Sequence, residues 1–211
     1  MTRPAQHLLM ALAFDVYWTL VVMLRERGLL IWLTLAIFAR LRLPAASRPP
    51  ALLLAAAGCG LDACWALAGL IDFRGDSLLP LWMVALWLMF AVVWTRLTRT
   101  ATLPGWVLAT AATVGGPVAY LIGARLGAMT LLVPTALGVA AMACGWLVLM
   151  LLFHLGMGRQ NEIRPVTAMA DHPRPGGPRR RLADVAPRRR GDLTGAVHRL
   201  SLAAAYAQWP V

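Results

Sequence analysis

The chain has 211 residues, of which 60% are hydrophobic and 14% are charged. Soluble domains carry roughly 25% charged residues, so the composition excludes an ordinary soluble domain and indicates a membrane protein. A formal net charge of +11 would point to nucleic acid if the protein were soluble. In a membrane protein the same excess follows from basic cytoplasmic loops and anionic lipid headgroups, so we predict no nucleic-acid partner.

Six apolar stretches approach the roughly twenty residues that a helix needs to cross the hydrocarbon core. In chain order they are residues 7–24, 29–43, 51–71, 78–95, 103–124 and 129–154. The second stretch is short and ends in Arg40 and Arg42, whose long side chains can reach the membrane surface. Pro117 and Pro134 fall inside the fifth and sixth stretches, where neighbouring helices can accommodate a kink.

The arginines divide unequally between the two sides of such a six-helix arrangement. With a cytoplasmic amino terminus, the cytoplasmic side receives Arg3, Arg40, Arg42, Arg48, Arg96, Arg99 and the arginine-rich tail. The other side receives Arg25, Arg27, Arg74 and Arg125. Because cytoplasmic loops are enriched in arginine, we predict that both termini are cytoplasmic.

The composition changes abruptly after Gly158. We therefore predict a six-helix transmembrane domain over residues 1–158 and an Arg/Pro-rich cytoplasmic tail over residues 159–211. Residues 159–190 have little apolar surface to bury, which predicts disorder. Residues 192–208 have the spacing of an amphipathic helix that would lie on the inner leaflet, with an unstructured tail as the alternative.

Two acids lie near the middle of predicted spans, Asp15 in the first and Asp62 in the third. A carboxylate at that depth costs on the order of 2.5–3.5 kcal/mol on insertion scales, so such a residue usually faces the bundle interior and has a partner. We therefore regard both as candidates for acid/base catalysis, headgroup binding or proton coupling. The alternative role is a structural lock between helices.

Other polar and aromatic residues are candidates for ligand binding. Trp18 follows Asp15 by one helical turn, so the two side chains lie on one face of the helix. A pocket with one acid and an aromatic wall would suit an amphiphilic ligand. Glu26 lies in the first loop, and its charge would contribute to a headgroup site or be solvated. Tyr120 and Arg125 close the fifth stretch, and an arginine there would either reach the membrane surface or bind a phosphate or carboxylate.

Small residues recur every fourth position in two stretches, which predicts close helix packing there. The first set is Ala56, Gly60, Cys64 and Ala68. The second is Gly115, Ala119, Gly123 and Gly127. No histidine pair has metal-ligand spacing, and no phosphate-binding loop or nucleophile motif occurs in the sequence. We therefore predict neither a metal nor a cofactor.

Four segments carry a family resemblance: FDVYWTLVVMLRERG, LDACWALAGLIDF, LLPLWMVALWLMFAVVW and GGPVAYLIGARLGA. Together they resemble one uncharacterised family, the bacterial inner-membrane domain-of-unknown-function family 2878. The resemblance covers about residues 5–155 and implies a compact helical domain in the bacterial inner membrane. It carries no catalytic assignment. Members of the family are often encoded near fatty-acid-modifying enzymes, so the resemblance implies a connection to lipid metabolism.

The sequence thus predicts an all-α, polytopic membrane bundle of about six transmembrane helices, whose status as an enzyme stays open. Three hypotheses describe its function. It binds or processes an amphiphilic, lipid-like ligand through Asp15, Asp62, Glu26 and Arg125. Alternatively, it is a small proton-coupled carrier that uses one of the two intramembrane acids, or a non-catalytic scaffold. Membrane lipids are the expected partners, and a homo-oligomer is left open.

Overall fold

The structure is a computed structural model, and it describes residues 3–75, 77–100 and 104–170. Six helices and two short strands make up this part of the chain. They are α1 (Arg3–Leu24), α2 (Leu29–Leu41), α3 (Arg48–Leu67), β1 (Ile71–Phe73), α4 (Leu81–Thr100), α5 (Gly105–Arg125), β2 (Met129–Leu131) and α6 (Thr135–Ala170). The predicted all-α membrane fold is confirmed.

Five helical stretches in the described residues are long and apolar enough to cross a membrane, and the first, Ala5–Leu41, contains both α1 and α2. The chain reverses between these two helices. The Tyr17 hydroxyl in α1 donates to the Trp32 carbonyl in α2 at 3.0 Å, whereas a continuous helix would separate these residues by about 22 Å. The six helices therefore follow an up-and-down course, close to the predicted number of crossings.

One end of the bundle is organised by the two strands, and we call it the strand end. β1 and β2 pair antiparallel, with Asp72 opposite Thr130. The pairing joins the α3–α4 connection to the α5–α6 connection. The Arg25 guanidinium donates to the Gly127 carbonyl at 2.7 Å and adds the turn between α1 and α2 to the same end. The opposite end is marked by His7 and Thr100, whose side chains lie 3.0 Å apart.

Helix α4 lies at the centre of the fold, because it packs against α1, α2 and α3. Three of its tryptophans, Trp82, Trp87 and Trp94, are buried. Helix α5 packs against α6, which also contacts α3. The helices on either side of α4 present many large apolar side chains on their outer surfaces, as expected where lipid replaces water.

The strand pair corrects two predicted span boundaries. The third predicted span extended to Ile71, and the sixth began at Met129, but both residues lie in strands. Three-residue strands whose apolar side chains are buried are difficult to distinguish in sequence from the apolar helix beside them. Pro134 therefore precedes α6 and does not kink it, and its carbonyl accepts the Gly138 amide at 3.1 Å. Pro117 does lie inside α5, as predicted.

The sixth helix is longer than predicted. It continues to Ala170, whereas the tail was expected to begin at residue 159. Its extension begins with the run Arg159-Gln160-Asn161-Glu162 and continues through Pro165. Residues 171–211, which include the amphipathic helix predicted over 192–208, lie outside the described residues.

Candidate functional site

The Asp62 side chain lies at the centre of a closed polar cluster between three helices. Asp62 itself is on α3 and is 0% exposed. The Trp87 indole on α4 donates from Nε1 to one carboxyl oxygen, Oδ2, at 2.7 Å. The Tyr120 hydroxyl on α5 donates to the other oxygen, Oδ1. Each carboxyl oxygen therefore has one donor, and one side chain connects α3, α4 and α5.

Aromatic rings surround this cluster. The Trp65 ring packs edge-on against Tyr120, with centroids 5.6 Å apart. The Trp146 ring of α6 stacks on Trp87 at 5.1 Å with an interplanar angle of 23°. Such a shell excludes water and lowers the local dielectric, which strengthens the hydrogen bonds to Asp62. We refer to Asp62, Trp87, Tyr120, Trp65 and Trp146 as the Asp62 cluster.

Glycines allow these rings to approach the helix backbones. A Cβ added at Gly58 would lie 2.2 Å from the Trp87 ring, and one added at Gly116 would lie 2.3 Å from the Trp146 ring. At Gly145 the corresponding distance to the Trp65 ring is 2.6 Å. Any side chain at these positions would displace an indole. Three tryptophans thus pack against glycine faces around one carboxyl group.

The second intramembrane acid occupies a different environment. Asp15 is exposed on α1, eight residues after His7 and ten before Arg25, so it lies about 12–15 Å from either end of the bundle. The Thr19 hydroxyl donates to the backbone carbonyl of Asp15 at 2.8 Å, so it does not bond the Asp15 carboxyl group. The structure therefore does not bring Asp15 and Asp62 into one site.

A cavity of about 310 Å³ opens at the strand end. Its described lining residues are Met23, Leu24, Arg25, Glu26, Arg27, Arg74 and Gly75. The first five come from the end of α1 and the turn after it, and the last two follow β1. We call this the arginine cavity, because three guanidinium groups and one carboxylate line it.

Arg25 is held in place at this cavity by its backbone and its side chain. Its φ angle of 47° makes it the non-glycine residue with positive φ in the described part of the chain. Its carbonyl accepts the Trp32 indole at 3.1 Å, and its guanidinium reaches the Gly127 carbonyl. Residues in sparsely populated backbone regions persist only where their surroundings fix them, and they concentrate at functional sites.

Arg74 approaches the same glycine from β1. Its Nη1 atom would lie 3.6 Å from a Cβ added at Gly127, whose φ of +69° already favours glycine. The Arg74 amide also bonds the Ala128 carbonyl at 3.0 Å. The strand pair thus brings Arg74 to the position that Arg25 reaches from the first turn, although the two arginines lie far apart in the sequence.

The sequence-predicted site residues are divided between these two regions. Tyr120 belongs with Asp62, and Glu26 lines the arginine cavity. Trp18 is half-buried on α1, in the outer part of the core. Arg125 is exposed at the end of α5 and is not among the described residues that line the cavity. Asp76, next to the lining residue Gly75, lies outside the described residues.

Trp87 was missed from the sequence, because α4 contains three tryptophans and only the position of Trp87 at the level of Asp62 distinguishes it. Arg25 and Arg27 flank Glu26, whose loop was considered for a headgroup site, and Arg74 lies in the other loop on that side. None of the three arginines was singled out as a ligand contact. The available signal was their position, since both loops fall on the same predicted side of the membrane.

The described residues contain no group of three or more His, Cys, Asp or Glu side chains that could hold a metal ion. Cys59, Cys64 and Cys144 are free thiols. The described residues therefore provide a buried carboxyl cluster and an open cationic cavity.

These features define a polytopic α-helical membrane protein with a closed polar core and a charged cavity at one end. Residues 7–152 match the model of the family described as Protein of unknown function (DUF2878), and the chain belongs to that family. The predicted resemblance is confirmed. No curated protein and no solved structure matches the chain.

Proposed function

We propose that this membrane protein binds an amphiphilic, lipid-like molecule at the arginine cavity. The observation that carries the proposal is the position of the cavity where lipid-facing apolar side chains meet fixed charges. Met23 and Leu24 are 57% and 41% exposed and form the apolar part of the lining. A volume of about 310 Å³ is at the lower end of the range for small-molecule sites, which suits a headgroup whose chains stay in the membrane.

The proposed ligand contacts are at the membrane surface and not at the intramembrane acids. Asp62 is fully buried, and both of its oxygens already accept hydrogen bonds from protein donors. A ligand would have to displace Trp87 or Tyr120 to reach it. Asp15 is exposed on α1 and is not among the described residues that line the arginine cavity. Among the residues proposed from sequence, Glu26 is therefore the one that lies at the proposed ligand site.

We also propose that the membrane is the bacterial inner membrane, with both termini in the cytoplasm. The arginine distribution supports this orientation. Arg40, Arg42, Arg48, Arg96 and Arg99 lie towards the end of the bundle that carries His7 and Thr100. This orientation puts the arginine cavity on the periplasmic side, where it would meet lipids of the outer leaflet of that membrane.

A scaffold without a ligand is the second candidate, and the Asp62 cluster favours it. A carboxyl group that joins three helices and is enclosed by aromatic rings has the features of a structural lock. Asp62 does not support a proton-coupled carrier, because it has no exposed surface through which a proton would be exchanged, so Asp15 would have to be the acid in that alternative. The homo-oligomer stays a prediction of the sequence.

Lipid retention by the purified protein tests the proposal. The full chain would be purified in mild detergent, and bound lipids would be measured by mass spectrometry per mole of protein. We expect about one retained amphiphile in the wild type and its loss in Arg27→Gln/Arg74→Gln. The control Arg96→Gln/Arg125→Gln removes the same charge outside the described cavity lining and should retain the ligand.

The scaffold hypothesis predicts no specific lipid retention in this experiment. All three proteins would then carry only traces of lipid, in the proportions of the membrane from which they were extracted. That outcome would contradict a lipid-binding function at the arginine cavity.

A further inference from the structure

We infer that the arginine cavity selects a phosphate monoester headgroup. This inference rests on the proposed function and names the chemical class of its ligand. The observations that carry it are the charge of the lining, the convergence of two guanidinium groups on one glycine, and the apolar rim beside them.

The charge of the cavity fits such a group. Arg25, Arg27 and Arg74 contribute three positive charges and Glu26 contributes one negative charge, so the described lining residues carry a net charge of +2. A phosphate monoester carries about −1.5 to −2 near neutral pH. A phosphodiester carries only one negative charge, and a zwitterionic headgroup carries none. The monoester is therefore the common lipid headgroup whose charge matches this lining most closely.

The geometry also favours phosphate over a planar anion. The Arg25 guanidinium is anchored at the Gly127 carbonyl at 2.7 Å, and the Arg74 Nη1 atom lies beside the same glycine. Both arginines are lining residues of the cavity, and they come from two different connections between helices. A planar carboxylate is satisfied by one guanidinium fork, whereas the tetrahedral oxygens of phosphate accept donors from several directions.

Preorganisation strengthens the case for Arg25 in particular. Its guanidinium bonds the Gly127 carbonyl, and its backbone carbonyl accepts the Trp32 indole, so contacts within the protein fix this residue. A side chain that the protein itself holds in place reduces the entropy that a ligand has to overcome. The donors of its guanidinium that do not bond Gly127 remain available to a phosphate oxygen.

The apolar rim indicates that the phosphate belongs to a lipid. Met23 and Leu24 are the last residues of α1, and their side chains are exposed beside the charged wall. An ester chain could leave the phosphate along these residues and enter the membrane. Free phosphate would use only the arginines.

Calorimetric titration of the full chain in neutral detergent micelles tests the inference. Four probes would be compared: short-chain diacylglycerol phosphate, the matching phosphatidylglycerol, the matching uncharged diacylglycerol, and inorganic phosphate. We expect the monoester to bind at least about tenfold more tightly than the uncharged lipid, as hydrogen bonds to charged groups imply. Inorganic phosphate should bind more weakly than the monoester, because it lacks apolar contacts.

Variants assign the effect to the cavity. Arg27→Gln and Arg74→Gln should each weaken monoester binding about tenfold, whereas Arg125→Gln and Arg96→Gln should leave it unchanged. Glu26→Gln should strengthen binding of both anionic lipids because it raises the net charge of the lining. Loss of monoester binding in Glu26→Gln would contradict the charge-matching argument.

The outcomes separate the inference from the function on which it rests. Equal affinity for charged and uncharged lipids would overturn the phosphate inference while supporting an amphiphile site. Inorganic phosphate binding as tightly as the lipid would support the phosphate chemistry but overturn the lipid function. Binding of none of the four probes would overturn both.

Discussion

The Asp62 cluster and the arginine cavity handle charge in opposite ways. Asp62 is enclosed, has a donor on each carboxyl oxygen and is packed among rings that sit on glycines. The arginine cavity is open, and its described lining carries three positive charges and one negative charge. A polar group that is fully satisfied inside the protein stabilises the fold, whereas a group left available at the surface can serve a ligand. The difference separates residues that hold this bundle together from residues available for binding.

The largest expected effect is that of Asp62→Ala. The substitution leaves the Trp87 indole and the Tyr120 hydroxyl without their acceptor, and each buried unpaired donor costs about 1–3 kcal/mol. We expect the free energy of unfolding to fall by about 2–5 kcal/mol, measured by SDS titration in mixed micelles. Asp15→Ala is the matched control, because the same residue type is removed from an exposed position. Equal losses in the two variants would mean that burial does not distinguish the two acids.

The glycine faces provide a second, smaller test. Gly58→Ala places a Cβ where the Trp87 ring lies, so we expect a loss of about 1–3 kcal/mol through overpacking. Gly60→Ala is on the same helix, with nothing within 4 Å of the added Cβ. It should be neutral or stabilise the protein by up to about 1 kcal/mol. The same titration measures both, and equivalent behaviour of the two alanines would disprove the close packing.

Removing one donor from Asp62 should cost less than removing the acceptor. Tyr120→Phe keeps the ring against Trp65 and deletes only the hydroxyl. Measured interhelical hydrogen bonds in membrane proteins are worth about 0.6 kcal/mol on average and up to about 1.7 kcal/mol, and we expect a loss in this range. A double-mutant cycle with Asp62→Ala isolates the coupling between the two residues. A coupling near zero would argue against their hydrogen bond.

The smallest effect on stability is expected at the arginine cavity. Arg74 and Arg27 are exposed, so Arg27→Gln and Arg74→Gln should change the free energy of unfolding by no more than about 0.5 kcal/mol. The same variants are expected to lose the lipid ligand, and this dissociation of binding from stability is what distinguishes the cavity from the Asp62 cluster. A large destabilisation would instead assign these arginines to the fold.

The sequence predicted the helices well, because membrane spans are recognised by length and hydropathy alone. It did not predict the strand pair, since Ile71 and Met129 each continue an apolar stretch and their pairing is a tertiary contact. Nor did it separate Asp62 from Asp15. In a soluble helix the polar face identifies the outside, but here both faces are apolar and the buried face has no distinct pattern. The small residues illustrate this point: Ala56, Gly60, Cys64 and Ala68 predicted a packing seam, yet all four are exposed.

The candidate ligand site was even less accessible to sequence reasoning. Glu26 was identified, but Arg74 reaches the first turn only because β1 pairs with β2 and thereby fixes the connection after α3 beside Gly127. Such proximity depends on the order of helices in space. The charges of the loops and the side of the membrane on which they lie were predictable. The approach of Arg25 and Arg74 to the same glycine, Gly127, was not.

The shortness of α2 has a consequence for the surrounding bilayer. Its 13 residues span about 20 Å, whereas the hydrocarbon core is about 30 Å thick. Its exposed side chains, such as Leu30, Ile37 and Phe38, meet acyl chains directly. We therefore expect the bilayer beside α2 to thin locally, to the extent that Arg40 and Arg42 do not extend the reach of the helix, whereas α5, with 21 residues, spans the core without thinning. The protein would thin the bilayer on one side of the bundle only. When vesicles of different acyl-chain length compete for the protein, it should partition preferentially into those with thinner bilayers.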